Sequence, residues 1–273
     1  MAEGNPKREL KELGTGAFNT ALEIHGGSLH GTVLKRINKI SLRRDEYAEL
    51  KDCHDRYAQL LREAGIDLVP AQMNHAGNGE KVRPYLMQSR IDNEKIVSNV
   101  LKAGSTEAAL GAFNNLAQIL ISADKRRGGM QLKPFLDGTP SNYVLEGDKI
   151  KLFDHFPPMF TEKNELYPLA ILKIYHQRQR AVVGKPQLYF SMRSEAPSAI
   201  RTELHEALGH IFDLSFPLAA LLYYAAQLRP KLVTQFQSRI KDILDREHGS
   251  KKADEILFNA LAQVTRWSRR SEP

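Results

Sequence analysis

Residues 132–158 read LKPFLDGTPSNYVLEGDKIKLFDHFPP, and this stretch decides how the rest of the sequence is interpreted. Asn142 follows Asp137 on a loop-like segment, and a short apolar run then leads into a Glu-Gly-Asp turn. A second apolar run ends on Asp154, and two such runs around a glycine turn predict a β-hairpin. The three polar groups would therefore converge at one mouth. Oxygen-rich side chains suit Mg²⁺, and a carboxylate facing a hydroxyl suits phosphoryl transfer.

The composition is that of a soluble globular protein with a substantial core. The 273 residues are 42% hydrophobic and 26% charged, which favours one large or two smaller domains. The net charge of +7 fits a nucleic acid, an acidic membrane or a phosphate-bearing ligand as partner. The basic residues are dispersed in short clusters such as 125–127 and 266–270. Nucleic acid is therefore the less favoured partner.

The cellular setting is predicted from the cysteine content and from the apolar runs. Cys53 is the one cysteine and cannot form an internal disulfide, which fits a reducing, cytoplasmic location. The N-terminal residues are polar and lack the apolar core of a signal peptide. No apolar run approaches the roughly 18 residues of a membrane span. The longest run, 216–226, contains Pro217 and reads as a buried helix.

Strand patterns and helix patterns are segregated along the chain. Residues 8–38 read as strands broken by glycine turns, a helix is predicted over 42–64, and strand patterns continue to Ser89. Further predicted helices cover 107–123, 166–175, 199–212, 217–228, 233–246 and 253–267. This segregation predicts an α+β architecture with two lobes joined near residues 88–92. We expect a β-rich N-lobe over 1–88 and a helical C-lobe over 89–273, with a ligand cleft between them.

Two features of the predicted N-lobe could serve a phosphate site. Glycines at 14 and 16 would let backbone N–H groups approach phosphates, although a plain hairpin turn explains them equally well. The segment is not a Walker A loop, because no Gly-Lys-Ser/Thr follows it. Lys35 lies among apolar residues on the third predicted strand. It either points into water or reaches over a phosphate site.

The order of these parts resembles the protein-kinase-like phosphotransferases. A Gly-rich hairpin, a strand lysine, an acidic helix, a D-x-x-x-x-N loop and a strand-end aspartate follow one another over residues 10–160. The sequence looks closest to the small-molecule branch typified by aminoglycoside phosphotransferases and choline kinases. The resemblance implies a bilobal α+β fold, ATP and Mg²⁺ as cofactors, and the hydroxyl of a small molecule as phosphoryl acceptor.

The resemblance also implies how the nucleotide is held. The residues that it assigns to ATP are Gly14 and Gly16 over the phosphates, Lys35 on the α- and β-phosphates, Met87 at the back of the adenine pocket, and Gln88 and Arg90 bonding adenine through their backbone groups. These last three residues would form part of the hinge between the lobes.

A second set of residues is assigned to the metal and to proton transfer. By resemblance, Asp137 orients the acceptor hydroxyl and takes its proton, while Asn142 and Asp154 hold Mg²⁺. The helix acid that orients the strand lysine is Asp55, with Glu49 as the next choice.

The chain departs from the family pattern at three places. Phe135 and its neighbour replace the usual histidine or His-Gly before Asp137, His155 replaces the glycine after Asp154, and Asn19 replaces the third glycine of the loop. The groups with direct electrostatic or proton-transfer roles are all retained. Phosphotransferase activity is therefore the leading interpretation.

Other interpretations remain open. A protein kinase is disfavoured because no Ala-Pro-Glu-type motif follows Asp154, and a non-catalytic nucleotide-binding module is disfavoured by the retained polar groups. His205 and His210 lie five apart rather than four, so a zinc-protease helix is rejected. No dense acidic cluster follows residue 160, which favours a neutral or anionic acceptor over a polycationic one.

Overall fold

The computed structural model describes residues 9–15, 19–37, 41–156, 158–161 and 212–270. The predicted helix 166–175 and all but the last residue of 199–212 lie outside these ranges. So do Gly16 and the histidine pair at 205 and 210.

The N-terminal region is a six-stranded antiparallel sheet packed against one helix. Its elements are β1 (Glu9–Thr15), β2 (Asn19–His25), β3 (Thr32–Ile37), β4 (Leu42–Arg43), α1 (Arg44–Glu63), β5 (Ala71–Ala76) and β6 (Lys81–Ser89). The strands run in the order β1-β2-β3-β6-β4, and β5 pairs with β6. Strand β6 is therefore central, with β3 and β5 hydrogen-bonded to it.

Alternation along β3 decides which side chains face the interior. Val33, Lys35 and Ile37 are buried, whereas Arg36 is exposed. Because successive side chains point to opposite faces of a strand, one face of β3 turns these three residues inward. The lysine is the charged member of an otherwise apolar row.

Helix α1 connects the sheet to the helical region. Leu50, Tyr57 and Leu61 are buried at helical spacing on one face. The Tyr57 hydroxyl donates a hydrogen bond of 3.0 Å to the Phe135 carbonyl, so the helix is anchored to the segment that leads into Asp137.

The C-terminal region is helical. Its helices are α2 (Val97–Ala103), α3 (Thr106–Arg127), α4 (Ser215–Leu228), α5 (Val233–His248) and α6 (Ser250–Arg270). The Ser105 hydroxyl accepts a hydrogen bond from the Ala108 N–H and caps α3. Phe113 of α3 stacks on Phe236 of α5 with ring centroids 4.3 Å apart, at the centre of the apolar core.

Short strands between α3 and α4 hold the loop of the candidate site. They are β7 (Lys133–Pro134), β8 (Tyr143–Glu146), β9 (Lys149–Leu152) and β10 (Phe160–Thr161). β8 and β9 form the predicted hairpin, and β7 pairs with β10, which closes the segment into a loop. Buried Arg127 donates to the Pro134 carbonyl at 3.0 Å and fixes the start of this loop.

This arrangement confirms the predicted fold class. The molecule is an α+β protein with an antiparallel sheet in the N-terminal region and helices in the C-terminal region, as in a bilobal, protein-kinase-like fold. The boundary between lobes at residue 88 stays a prediction. Within the described ranges, no helix combines the length and apolarity needed to cross a membrane.

Candidate active site

Asp137 is held rigidly by its own loop. Its Oδ1 accepts a hydrogen bond of 2.8 Å from the Thr139 N–H, and its Oδ2 accepts one of 2.6 Å from the Asn142 amide. The Tyr143 hydroxyl donates to the Asp137 backbone carbonyl. The 3₁₀ turn Pro140–Asn142 brings the amide back to the carboxylate, so the D-x-x-x-x-N spacing is a local consequence of chain geometry.

The surroundings of Asp137 increase its affinity for a proton. Burial is the main cause of its raised pKa, and the charge of Asp154 raises the pKa further. Hydrogen bonds from Thr139 and Asn142 act in the opposite direction, because they stabilise the carboxylate. A carboxylate with a raised pKa is a stronger general base than one in water.

Lys35 reaches from β3 to the end of the hairpin. Its Nζ lies 3.1 Å from Asp154 Oδ1 and donates a hydrogen bond of 3.0 Å to the Phe153 carbonyl. The same atom lies 5.0 Å from the centroid of the Phe153 ring. Burial lowers the pKa of the ammonium group, and the charge of Asp154 partly offsets this effect.

The four predicted polar groups form one connected chain of contacts. The Asn142 side chain binds Asp137, while its backbone carbonyl accepts from the Phe153 N–H at 2.9 Å and from the Asp154 N–H at 3.4 Å. Asp154 then contacts Lys35. The structure thus brings together the strand lysine, both aspartates and the asparagine, while their chemical roles stay predictions.

Helix α1 does not place the predicted acid beside Lys35. Asp55 is exposed and forms an ion pair with Lys51 at 2.6 Å, and Glu49 is also exposed. The inward position belongs to His54, which is buried. Neighbouring positions on a helix differ by about 100°, so an assignment displaced by one residue moves the side chain off the interior face. The pairing of Asp55 with Lys35 is corrected accordingly.

His54 meets the residue that follows Asp154. Its ring stacks on that of His155, with centroids 5.0 Å apart and an interplanar angle of 27°. Burial lowers the pKa of both rings, and that of His155 falls to about 3. Both imidazoles are therefore neutral at physiological pH. The unusual His155 was visible in the sequence, but its partner on α1 was not.

The register of β6 corrects the position of Met87. Met87 pairs with Leu34, whereas Leu86 pairs with Lys35 and Gln88 pairs with Val33. Directly opposed residues share a face of the sheet, so Met87 lies on the face opposite Lys35. Leu86 and Gln88 are the β6 residues that lie opposite Lys35 and Val33 on the Lys35 face, and both are buried.

The Gln88 backbone and the Arg90 N–H, which are among the groups predicted to bind adenine, already have partners. Gln88 lies in the ladder, opposite Val33 of β3 and Ala71 of β5. The Arg90 N–H donates to the Gly31 carbonyl at 3.0 Å, and the Arg90 guanidinium binds Glu23 at 2.7 Å. The adenine contacts assigned to the Gln88 backbone and to the Arg90 N–H are corrected for this reason, and a contact through the Arg90 carbonyl stays a prediction.

Gly14 lies on the edge strand β1, where it pairs with Ala21 across an irregularity in register. A Cβ at this position would meet open space. Its role over the ATP phosphates stays a prediction, and Gly16 lies outside the described residues.

Helix α4 supplies residues near Asp137 that the sequence reasoning missed. Gly138 abuts the Pro217 backbone so closely that a Cβ at this position would overlap the carbonyl group. Tyr224 lies two turns further along the same helix face, and burial together with the charge of Asp137 raises its pKa. The residue is 41% exposed, so ligands can reach its side chain. The sequence feature that could have indicated this residue is a pair of tyrosines, at 223 and 224, inside an apolar run.

Fold and site together describe an α+β protein in which a lysine, two aspartates and an asparagine lie close to one another. The chain belongs to the family described as "Family of unknown function (DUF6206)", whose model matches residues 2–188. No curated protein matches the chain.

Several solved kinase structures are similar to the chain. The kinase domain of maize SIRK1 (sucrose-induced receptor kinase 1), bound to AMP-PNP, has 14% identity and a TM-score of 0.43, with 97% of this chain and 89% of that chain covered. A Stt7 homolog from Micromonas algae, soaked with ATP, has 16% identity and a TM-score of 0.45, with 89% and 79% covered. A point mutant of the PknI kinase domain of Mycobacterium tuberculosis has 13% identity and a TM-score of 0.38, with 96% and 99% covered. None of these matches assigns an activity to the chain.

Proposed function

We propose that the chain is an ATP- and Mg²⁺-dependent phosphotransferase that transfers the γ-phosphoryl group to the hydroxyl of a small molecule. The observation that carries the proposal is the continuous set of contacts from Asp137 through Asn142 and Asp154 to Lys35. Phosphoryl transfer depends mainly on positioning and on neutralising charge. A buried cation and fixed oxygen groups at one mouth supply both.

Lys35 is suited to hold phosphate oxygens. Its side chain is 6% exposed, and its ammonium group is kept close to Asp154 and the Phe153 carbonyl. A cation in such surroundings interacts more strongly with an anion than it would in water. A polyphosphate entering this mouth would therefore bind Lys35 in place of part of its present contact with Asp154.

Asn142 and Asp154 fit a magnesium ion. The Asn142 amide nitrogen is the atom that binds Asp137, so the amide oxygen is the atom offered to a metal. Asp154 is 27% exposed and lies next to this residue through its backbone N–H. Mg²⁺ commonly binds one or two carboxylates and completes its shell with phosphates and water. When bound, it would neutralise charge on the transferring phosphoryl group.

Asp137 is the proposed general base. Two hydrogen bonds orient its carboxylate, and burial raises its pKa, which makes it a stronger base. It would orient the acceptor hydroxyl for in-line attack and take its proton as the bond to phosphorus forms.

The surroundings of Asp137 support a small acceptor. Helix α4 abuts the loop at Gly138, and the partly exposed Tyr224 ring lies near the carboxylate. A ring of this kind offers an apolar face and a polar hydroxyl to a ligand. Neutral or anionic alcohols are the proposed acceptor class.

The test is ATP turnover against a library of small alcohols, with product identified by mass. We expect Asp137→Asn and Asp154→Asn to lower kcat by at least about 100-fold, because each removes a charge that would act on the acceptor hydroxyl or on the metal. Asp148→Asn is the matched control, since this aspartate lies exposed at the tip of the same hairpin. Full turnover in either site variant would refute the assignment.

A second candidate is a nucleotide-binding module without turnover. It is favoured by α1, which presents the neutral His54 to the site in place of an acid. This module would bind ATP and raise its own melting temperature, yet consume no ATP with any acceptor.

A further inference from the structure

Gln88 is a buried polar side chain with an unused acceptor. It is 6% exposed, and within the described part of the chain its Oε1 has no hydrogen-bond partner. A buried carbonyl oxygen without a donor costs free energy, so such groups are normally paired. A ligand with an N–H or O–H donor would therefore satisfy this oxygen.

The sheet places the Gln88 side chain on the same face as the Lys35 side chain. Gln88 lies opposite Val33, and Leu86 lies opposite Lys35, so all four side chains share one face. Val33 precedes Lys35 by two residues, about 7 Å along β3, and Gln88 lies one strand spacing further, about 4.8 Å. A nucleotide with its phosphates at Lys35 would have its base over Val33, with one edge towards Gln88.

The neighbouring acid, Glu23, is not available to bind the base of a nucleotide. Glu23 belongs to the same row, opposite Val33. One of its carboxylate oxygens accepts a hydrogen bond of 2.7 Å from Arg90, and the other lies 3.1 Å from His25 Nε2. Glu23 therefore holds the Arg90 side chain at the end of this face of the sheet. Gln88 remains as the polar group on this face that can bind a base.

We propose that the Gln88 side chain is the base-reading group, with Oε1 accepting an N–H from the exocyclic amine of adenine. The inference rests on the proposed nucleotide-dependent function and names a specificity residue for it. A glutamine amide and the amino edge of adenine are complementary, because the amide can also donate to the adjacent ring nitrogen. The Arg90 N–H already donates to the Gly31 carbonyl, so in this proposal the Gln88 side chain recognises adenine in its place.

The experiment is calorimetric titration of the full chain, with Mg²⁺ present, by ATP and by purine riboside triphosphate, whose base carries no N–H donor. We expect ATP to bind about tenfold more tightly, the effect of one hydrogen bond to a buried acceptor. Equal affinity for the two triphosphates would overturn the inference and leave the proposed function standing. Failure to bind either triphosphate would remove both.

Substitution of Gln88 tests the same claim from the protein side. Gln88→Met keeps the length of the side chain and removes the amide, so the affinity ratio should fall to about one, mainly through loss of ATP affinity. Gln72→Met is the matched control, because Gln72 is exposed and lies opposite Met87, on the other face of the sheet. An unchanged ratio in Gln88→Met would overturn the inference. The comparison in the unmodified protein decides the matter if that variant does not fold.

Discussion

The loop from Asp137 to Asp154 and helix α1 differ in the charges that they offer to Lys35. The loop from Asp137 to Asp154 offers it a carboxylate and a backbone carbonyl. Helix α1 turns the neutral His54 inward and leaves Asp55 exposed to solvent. The comparison shows that the charge balance of the site is set within the loop, while the helix contributes packing and position.

The largest expected effect comes from the loop side, at Gly138. A Cβ there would lie 2.6 Å from the Pro217 carbonyl carbon, and that backbone cannot yield without moving α4. We expect Gly138→Ala to lower the free energy of unfolding by about 3 kcal/mol, the upper range for overpacking. Urea unfolding measures the change.

Gly111→Ala is the control for this substitution. A Cβ at this exposed position of α3 would meet open space, and alanine is the better helix former by up to about 1 kcal/mol. The two glycine variants should therefore change stability in opposite directions. Unaltered stability of Gly138→Ala would show that α4 does not rest on the loop.

At mildly acidic pH, one to two units below 6.5, an intermediate effect is expected where the two regions meet, at His155. Its pKa is about 3 in the folded protein, against an ordinary value of about 6.5. Between these values the unfolded chain binds more protons, so stability is full above about pH 6.5 and falls as the pH decreases, by about 1.4 kcal/mol per unit. His155→Phe should remove this contribution from the stability profile measured by chemical unfolding.

His54 also has a lowered pKa, so some acid sensitivity should remain in that variant. The same substitution at His30, which is exposed, is the control and should leave the slope of the wild-type profile unchanged. An identical slope in His155→Phe and in the wild type would contradict the burial of a neutral ring at this position.

The smallest effect is expected on the helix side, at Asp55. Its pair with Lys51 is exposed and spaced four residues apart, an arrangement worth less than about 0.5 kcal/mol. Asp55→Asn should leave turnover and stability near wild type in paired kinetic and unfolding assays. A hundredfold loss of turnover would show that Asp55 acts in the site, and would refute the conclusion that α1 contributes no charge to it.

Local geometry explains what the sequence predicted well. Asp137, Asn142 and Asp154 lie on one loop and hairpin, and their approach follows from a 3₁₀ turn and a glycine turn. Short-range rules describe such turns. The α+β class followed in the same way, from strand and helix periodicities that each span one element.

Contacts between distant elements explain what the sequence did not predict. Asp55 and His54 are adjacent in sequence, and only packing of α1 decides which one turns inward. Met87 and Gln88 exchange faces with a shift of one residue in the register of β6. The placement of Tyr224 near Asp137 depends on how α4 crosses the loop, which no local pattern encodes.

The hydrogen bond from the Tyr57 hydroxyl to the Phe135 carbonyl has a consequence for regulation. It joins α1 to the backbone two residues before the proposed base, so we expect a displacement of the helix to move the segment that leads into Asp137. Any partner that binds the outer face of α1 and shifts it would change the alignment of the acceptor, and the reverse holds by thermodynamic linkage. Binding of a ligand at the site would therefore be coupled to the position of α1, although this helix does not supply the acid that the sequence predicted.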